Sequence, residues 1–271
     1  MLCFPNAKLN LGLNILRKRP DNYHDLQSIF LPINLKDGLE IVPDETINNT
    51  VFTNTGLTVD TSAEDNLVYK VYKFFQSKYN LPNAKIHLHK VIPFGAGIGG
   101  GSADAAFAAV MINKLYKLNI SELELMEIVK NFGADCPFFI VNKPALVTGI
   151  GDNIKPVKIP VLSDKKIVLI KPDFKISTKN IFSKIIPEEN APNLEEAINK
   201  PIEQWKNYFT NDFEDVVFED YPVLAEIKQK LYEQGALYAS MSGTGSTVYG
   251  IFDKKTEIDE FWNKQSFYYE L

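Results

Sequence analysis

Between Ile92 and Val110 the chain reads IPFGAGIGGGSADAAFAAV, with five glycines inside the seven residues Gly95 to Gly101, then Ser102 and a run of alanines of helical character. Glycines that open onto a helix expose N–H groups without partners, add the positive end of the helix dipole, and lack the Cβ atoms that would hold an anion off. A segment of this kind can cradle phosphate, with Pro93, Gly95, Gly97, Gly99, Gly100, Gly101 and Ser102 as candidate contacts. Gly95, Gly97 and Gly100 also satisfy G-x-G-x-x-G, but a dinucleotide unit needs a second buried strand after its helix, whereas SELELMEIVKNF repeats as another amphipathic helix. A P-loop fails too, because Gly101 stands where its lysine belongs. The remaining alternative is a flexible turn without a ligand. A second cluster, SMSGTGST from Ser240 to Thr247, reads by itself as a hairpin turn; beside the first loop it would close over a bound phosphate.

Other reactive residue types offer less. His87 and His89 share one face of a strand, but no third ligand follows at a suitable spacing, so they read as surface residues and no metal site is expected. Cys3 and Cys136 are the only cysteines, which argues against a disulfide framework and fits a reducing compartment. No histidine lies near Cys136 in sequence, so it reads as a packed thiol. The net charge of −5 argues against a broad nucleic-acid footprint, leaving an anion to be held locally by backbone N–H groups or a few lysines.

These residues need elements to position them. With 271 residues and 45% hydrophobic content, the chain suffices for one large domain or two moderate ones. No apolar run approaches the roughly 18 residues of a membrane span, and MLCFPNAKLNLG lacks the layout of a secretory signal, so the cytoplasm is the expected compartment and no membrane partner is expected. From Ala7 to Ile15 apolar and polar residues alternate, predicting a half-buried strand with Lys8 and Asn10 on its other face. A second extended region runs from Leu39 to Val59. A helix follows in TSAEDNLVYKVYKFFQSKYNLP, with Ser62 and Asp65 placed for a capping box. AKIHLHKVIP is a strand leading into the glycines, followed by helices over Ala103 to Leu118 and Ser121 to Phe132 and two extended pieces in ALVTGIGDNIKPVKI. A boundary is expected within Asn153 to Asp164, giving domains 1–153 and 154–271. The second half reads as a strand in KKIVLIKP, a helix from Thr178 to Ile186, helices from about Leu194 to Glu233, and strand, glycine turn, strand in ALYASMSGTGSTVYGIF.

Three of these stretches carry a resemblance. PFGAGIGGGSADAA resembles the phosphate loop of the GHMP small-molecule kinases, ASMSGTGSTVYGIF their C-terminal glycine motif, and PNAKLNLGLNI their N-terminal strand motif, in the expected order and over most of the chain. YHDLQSIF, GADCPFF and ISTKNIF draw the resemblance toward the branch that acts on a cytidine-diphosphate-linked methylerythritol. It departs at Ala103 and Asp104, where the family more usually has a second serine and an asparagine, and at Thr148, a position often basic nearby in relatives. The resemblance implies an α+β, two-domain fold with an N-terminal ATP-binding domain and a C-terminal ferredoxin-like substrate domain.

What it implies chemically is phosphoryl transfer from ATP, with Mg²⁺ held largely by the phosphates, to a small-molecule alcohol. Asp135 matches the family's general base, although alone it reads as a turn residue near a helix end at Gly133. Lys8 would lie beside Asp135 and stabilise developing charge, although alone it reads as a solvated strand lysine. Asn10 would orient the substrate, and Asn66 and Leu67 would line the adenine pocket, where capping and packing explain them equally well. By the same resemblance Tyr23 and Phe182 would stack on a cytosine, His24 would bond its polar edge, and Thr178 would join the substrate site. The ordinary alternatives are an exposed turn for Tyr23 and His24 and a helix core face for Phe182. Another small-alcohol kinase, of homoserine or mevalonate type, and a nucleotide-binding sensor are the competing functions.

Overall fold

The computed structural model describes residues 1–58, 62–258 and the backbone of 266–270. In chain order its strands are β1 (Leu2–Cys3), β2 (Asn6–Lys18), β3 (His24–Lys36), β4 (Gly38–Pro43), β5 (Val51–Gly56), β6 (Ala84–Lys90), β7 (Ala145–Gly149), β8 (Asn153–Pro156), β9 (Lys165–Ile170), β10 (Tyr238–Met241), β11 (Val248–Asp253) and β12 (Ser266–Glu270). Its helices are α1 (Leu67–Tyr79), α2 (Gly100–Leu115), α3 (Glu122–Lys130), α4 (Cys136–Val141), α5 (Thr178–Phe182), α6 (Leu194–Ala197), α7 (Phe213–Asp220) and α8 (Pro222–Glu233). Two compact units result, and neither is contiguous: one is Met1–Ala7, Leu35–Phe94 and Gly99–Asn142, the other Lys8–Asn34, Gly95–Ile98 and Lys143–Leu271. This division differs from a single cut at 153/154, because β3 pairs with β7 from Leu26↔Gly149 to Phe30↔Ala145 and so joins the early strands to the later chain.

The first unit holds a sheet in the order β1-β4-β6-β5, with β4 antiparallel and β5 parallel to β6. Strand β6 alternates as its sequence requires: Ala84, Ile86, Leu88 and Lys90 are buried, while Lys85 and His89 are exposed. Helix α1 begins later than the Ser62–Asp65 spacing suggests. Those residues do bond reciprocally, but in the turn before the helix, and Asn66 is the cap, its Oδ1 accepting from the Val68 N–H at 2.9 Å. The extended region expected as far as Val59 is described to Thr58; Val59 and Thr61 lie outside the described residues. Helix α2 starts three residues before the expected Ala103, so Gly100 and Gly101 are its own first turn. Its buried alanines at 103, 105, 106, 108 and 109 allow close packing on α1 and α4. Ser121 caps α3 in a complete capping box with Glu124. Helix α4, read from sequence as a turn, forms because Pro137 suits a first turn and Cys136, Phe138 and Phe139 are apolar enough to bury.

The second unit contains the sheet β2-β3-β7-β8 and the sheet β10-β11-β9-β12, whose strands all pair antiparallel. Numbered by appearance, the latter order is second-third-first-fourth, the ferredoxin-like arrangement. Its core joins Val168, Ile170, Met241, Val248 and Phe252 to Phe213 and Val217 of α7, Leu224, Ile227 and Leu231 of α8, and Leu13 and Ile15 of β2. Strand β2 is not half-buried as its alternation predicts: every residue from Asn6 to Ile15 is buried. Hydrogen bonds help this strand keep its polar positions inside; Asn14 Nδ2 and the Ile15 N–H both donate to the Asp212 carboxylate, at 2.9 and 2.7 Å. The helix expected from Thr178 to Ile186 stops at Phe182, and the helical stretch expected from Leu194 to Glu233 is broken before Ile202 and Pro222, both at prolines that cannot continue the N–H ladder.

Candidate active site

The glycine loop runs from Ile92 to the start of α2. Gly99 precedes the helix in the left-handed region (φ 73°), which lets Gly100, Gly101 and Ser102 begin a helix whose first N–H groups have no carbonyl one turn back. A Cβ added to Gly100 would come within 2.7 Å of Ile92 Cγ2, so this corner is closed to larger residues. Leu67, the first residue of α1, reaches within 3.8 Å of the same construction at Gly101. Leu67 therefore borders the glycine loop, while Asn66 caps α1.

The second glycine cluster is a hairpin turn that also lies against the first loop. It joins antiparallel β10 and β11, and it packs on the first loop: Ser242 Oγ donates to Gly97 O at 3.0 Å and the Thr247 N–H to Ala96 O at 3.2 Å. Gly97 has to be glycine there, since a Cβ would lie 2.2 Å from Ser242 O and its φ is 76°. Asn211, a residue the sequence did not single out, fixes the cluster from beneath by donating Nδ2 to Met241 O at 2.8 Å and to Gly243 O at 2.9 Å.

Lys8 and Asn10 share a face of β2, as their spacing predicts, and the face is buried. Lys8 is 3% exposed; its Nζ donates to Asn10 Oδ1 at 2.6 Å and lies 4.1 Å from the centroid of the Phe30 ring. Its backbone N–H donates to Ile98 O at 3.0 Å, so the strand also anchors the glycine loop. Asn10 is engaged on every side: its Nδ2 donates to Ser28 Oγ at 3.0 Å, its N–H to Ser242 Oγ at 3.2 Å, and its carbonyl accepts from the Tyr249 hydroxyl at 2.7 Å. The visible work of this asparagine is to aim the lysine.

Asp135 is the half-buried residue before α4, and its side chain does not cap that helix. The preceding helix ends at Lys130, so Gly133 belongs to the intervening turn, and the Cys136 N–H donates to Gly133 O at 3.1 Å. A Cβ on Gly133 would sit 3.3 Å from Cys136 Sγ and 3.5 Å from Ser102 Oγ, so the first turns of α2 and α4 meet here. The glycine-rich start of α2 and the turn that carries Asp135 are therefore neighbours within one unit. Burial pushes the Cys136 thiol up to about 12, which keeps it an unreactive packed group.

Phe182 closes α5 and packs edge-on against Phe213, with centroids 4.7 Å apart, so it does serve the core. Its ring also meets His24 at 5.4 Å, and Tyr23 is 58% exposed. Burial, assisted by Lys18, lowers the His24 pKa, favouring the neutral imidazole that can both donate and accept. Thr178 Oγ1 lies 2.9 Å from Thr244 Oγ1, tying α5 to the second glycine cluster. Lys8, Asn10, Tyr23, His24, Thr178, Phe182, Gly95 and Gly97 thus belong to one unit, and Asn66, Leu67, Pro93, Gly99 to Ser102 and Asp135 to the other.

His87 and His89 are outward residues of β6, bonded to the hydroxyls of Thr53 and Thr55 at 2.9–3.0 Å. Among the described residues no three His, Cys, Asp or Glu side chains are grouped to hold a metal ion, and no helix is long and apolar enough to cross a membrane.

Comparison with known proteins bears on this geometry. Residues 66–143 match the model of the GHMP kinases N terminal domain and residues 186–270 that of the GHMP kinases C terminal domain. A 4-diphosphocytidyl-2-C-methyl-D-erythritol kinase of Parabacteroides distasonis is 48% identical over 96% of this chain and 94% of its own length. The Bacteroides fragilis protein of that name is 46% identical over 95% and 94%. A solved structure of 4-(cytidine 5'-diphospho)-2C-methyl-D-erythritol kinase superposes with a TM-score of 0.77 at 28% identity, covering 92% of this chain and 89% of that one. Methanococcus jannaschii mevalonate kinase, at a TM-score of 0.67 and 14% identity, shares the fold. With both domains matched and near-half identity along almost the full length, the chain belongs to the GHMP kinase family.

Proposed function

We propose that this GHMP kinase transfers the terminal phosphoryl group of ATP to a hydroxyl of 4-diphosphocytidyl-2-C-methyl-D-erythritol, within the non-mevalonate route to isoprenoid precursors. The observation that carries the proposal is the near-half identity, over almost the whole chain, to kinases bearing that substrate's name. The geometry supports it. The N–H groups at the start of α2 suit the phosphates of a nucleotide, since the residues that line this corner are glycines and Gly99 offers no Cβ. Mg²⁺ accompanying ATP would supply charge neutralisation; with no dedicated carboxylate set among the described residues, it would be held mainly by the phosphates.

Asp135 takes the proton of the acceptor hydroxyl as the oxygen attacks. Lys8, aimed by Asn10, stabilises the charge that develops on the reacting oxygens. Tyr23 and Phe182 stack on the cytosine, and neutral His24 bonds its polar edge. The two free cysteines fit the reducing cytoplasm as the setting. An ATP-consumption assay over a panel of alcohols tests the reading: turnover should depend on the cytidylyl compound and be absent with homoserine or mevalonate. Turnover with either of those alone would replace this substrate by that alcohol.

A further inference from the structure

Beneath the phosphate loop lies a charged cluster that the transfer chemistry does not use. Lys90, the last residue of β6, is 4% exposed, and its Nζ donates to Asp37 Oδ2 at 2.5 Å and to Asp104 Oδ2 at 2.7 Å. Asp37 Oδ1 accepts the N–H groups of Val91 and Ile92, at 2.6 and 2.8 Å, where the chain enters the loop. Asp104 lies on α2, where the chain leaves it. All three residues belong to the unit that contains Gly99 to Ser102 and Asp135. The cluster therefore clamps the entry and the exit of the loop through one ammonium. Lys90 also approaches the loop directly, with Nζ 3.5 Å from the position of a Cβ on Gly100.

The clamp is unbalanced. One ammonium faces two carboxyl groups, and the donors are unevenly shared. Asp37 has three, two of them backbone N–H groups; Asp104 has Lys90 alone, and its Oδ1 is buried without a hydrogen-bond partner. An orphaned buried oxygen is far less costly on a neutral acid than on a carboxylate. We propose that Lys90, Asp37 and Asp104 form a one-proton clamp that sets the nucleotide affinity of the phosphate loop, with Asp104 holding the proton as a neutral acid in the tight-binding state.

Burial pushes Asp104 up to about 8, in the same direction as the donor count. The other titratable groups facing the cluster are Lys90 from β6, Asp37 from the segment before β4 and Cys3 from β1, whose thiol burial pushes up to about 12. Asp104 is thus the group that changes charge in mildly alkaline solution. Its ionisation puts an uncompensated negative charge inside the first turns of α2, where it opposes the field that attracts phosphate. Asp104 is a positioning residue, acting through the loop.

This inference rests on nucleotide binding at the loop, and the test separates the two. Affinity for MgATP is measured by calorimetry from about pH 7 to about pH 9.5, a range above the ionisation of a phosphate near 6, for the wild type and Asp104→Asn. The wild type should lose about tenfold in affinity across the range, and the isosteric Asp104→Asn less than about twofold. Unfolding midpoints at each pH, without nucleotide, identify a purely structural effect. Equal pH dependence of affinity in the two proteins, or midpoints that shift with pH while affinity stays flat, would overturn the clamp. Should Asp104→Asn fail to fold, the same titration of Asp104→Ser decides on the same criterion. Absence of MgATP binding by the wild type at every pH would overturn the kinase reading itself, and the clamp with it.

Discussion

A lysine that is 3% exposed must have its charge answered from inside the protein, and the 2.6 Å bond from Lys8 to Asn10 and the Phe30 ring 4.1 Å from its Nζ are part of that answer. The alternation in PNAKLNLGLNI gave away that Lys8 and Asn10 share a face, but not that the face is buried, because the groups that satisfy Asn10 come from Ser28 and Ser242, 18 and 232 residues away. Asp135 is a candidate only through its motif; in isolation an aspartate before a six-residue helix carries no chemical signal. Asp135→Asn should lower turnover by about 10²–10⁴-fold with nucleotide affinity nearly intact, since it removes proton acceptance and little else. Near-normal turnover in the purified variant would move the base elsewhere. Tyr23→Ala and Phe182→Ala should each weaken the cytidylyl substrate by about 1–3 kcal/mol with ATP affinity preserved, and His24→Ala should erode the preference for cytosine over uracil. Because Phe182 also packs on Phe213, its variant alone should lose stability; titrating both ligands against the three proteins separates the effects.

The glycine loop and the second glycine cluster behave as one element made of two distant pieces of chain. Their docking was not written in either segment: Ser242 and Thr247 donate to Gly97 and Ala96, contacts made across about 150 residues of sequence. What the sequence did carry was the need for glycine. Gly97→Ala would force a side chain against Ser242 O in a left-handed backbone, so it should cost more than about 1 kcal/mol of stability, read as a lower unfolding midpoint. Gly99→Val addresses the other half: at φ 73° and ahead of the open N–H groups, it should damage ATP binding, and unchanged nucleotide affinity in a folded variant would take the loop out of the ATP site. Strand β3 escaped sequence reading for a related reason. HDLQSIFLPINLK contains no clean alternation, and Pro32 argues against a strand, yet pairing with β7 and burial of Ser28 to Leu31 hold it extended.

For the whole molecule, the buried Asp104 leaves a signature in stability against pH. A group whose folded pKa is raised, here to about 8, contributes stability that is complete below its unfolded value and lost as pH climbs to the folded one. Asp21, Asp25, Asp44, Asp65 and Glu124 have lowered values and work in the opposite sense, but their effect is exhausted once the solution passes the ordinary carboxylate range. His24, whose value is also lowered, works in that opposite sense up to about pH 6.5, so between about pH 7 and about pH 8 stability should fall with rising pH, by no more than about 1.4 kcal/mol per unit and seen as a lower unfolding midpoint, and Asp104→Asn should flatten the curve. A midpoint that rises over that interval would mean that Asp104 is ionised throughout. The two-domain α+β class was legible from the motif order, while the interleaving of the units was not, because strand pairing between Leu26–Phe30 and Ala145–Gly149 leaves no mark in local composition.

That interleaving matters while the chain is being made. The ribosome releases β2 and β3 first, yet β7, the hydrogen-bonding neighbour of β3, emerges more than a hundred residues afterwards, and only then can the outer strand β8 be added. Until that moment the half-made protein presents a long apolar strand with a bare edge, the kind of surface that templates association between chains. A fragment ending at Asn142 would contain every segment of the first unit and hold that intermediate permanently. It should precipitate on expression alone and be rescued by co-expressing the remainder from Lys143 onward, which sedimentation of the soluble fraction would reveal.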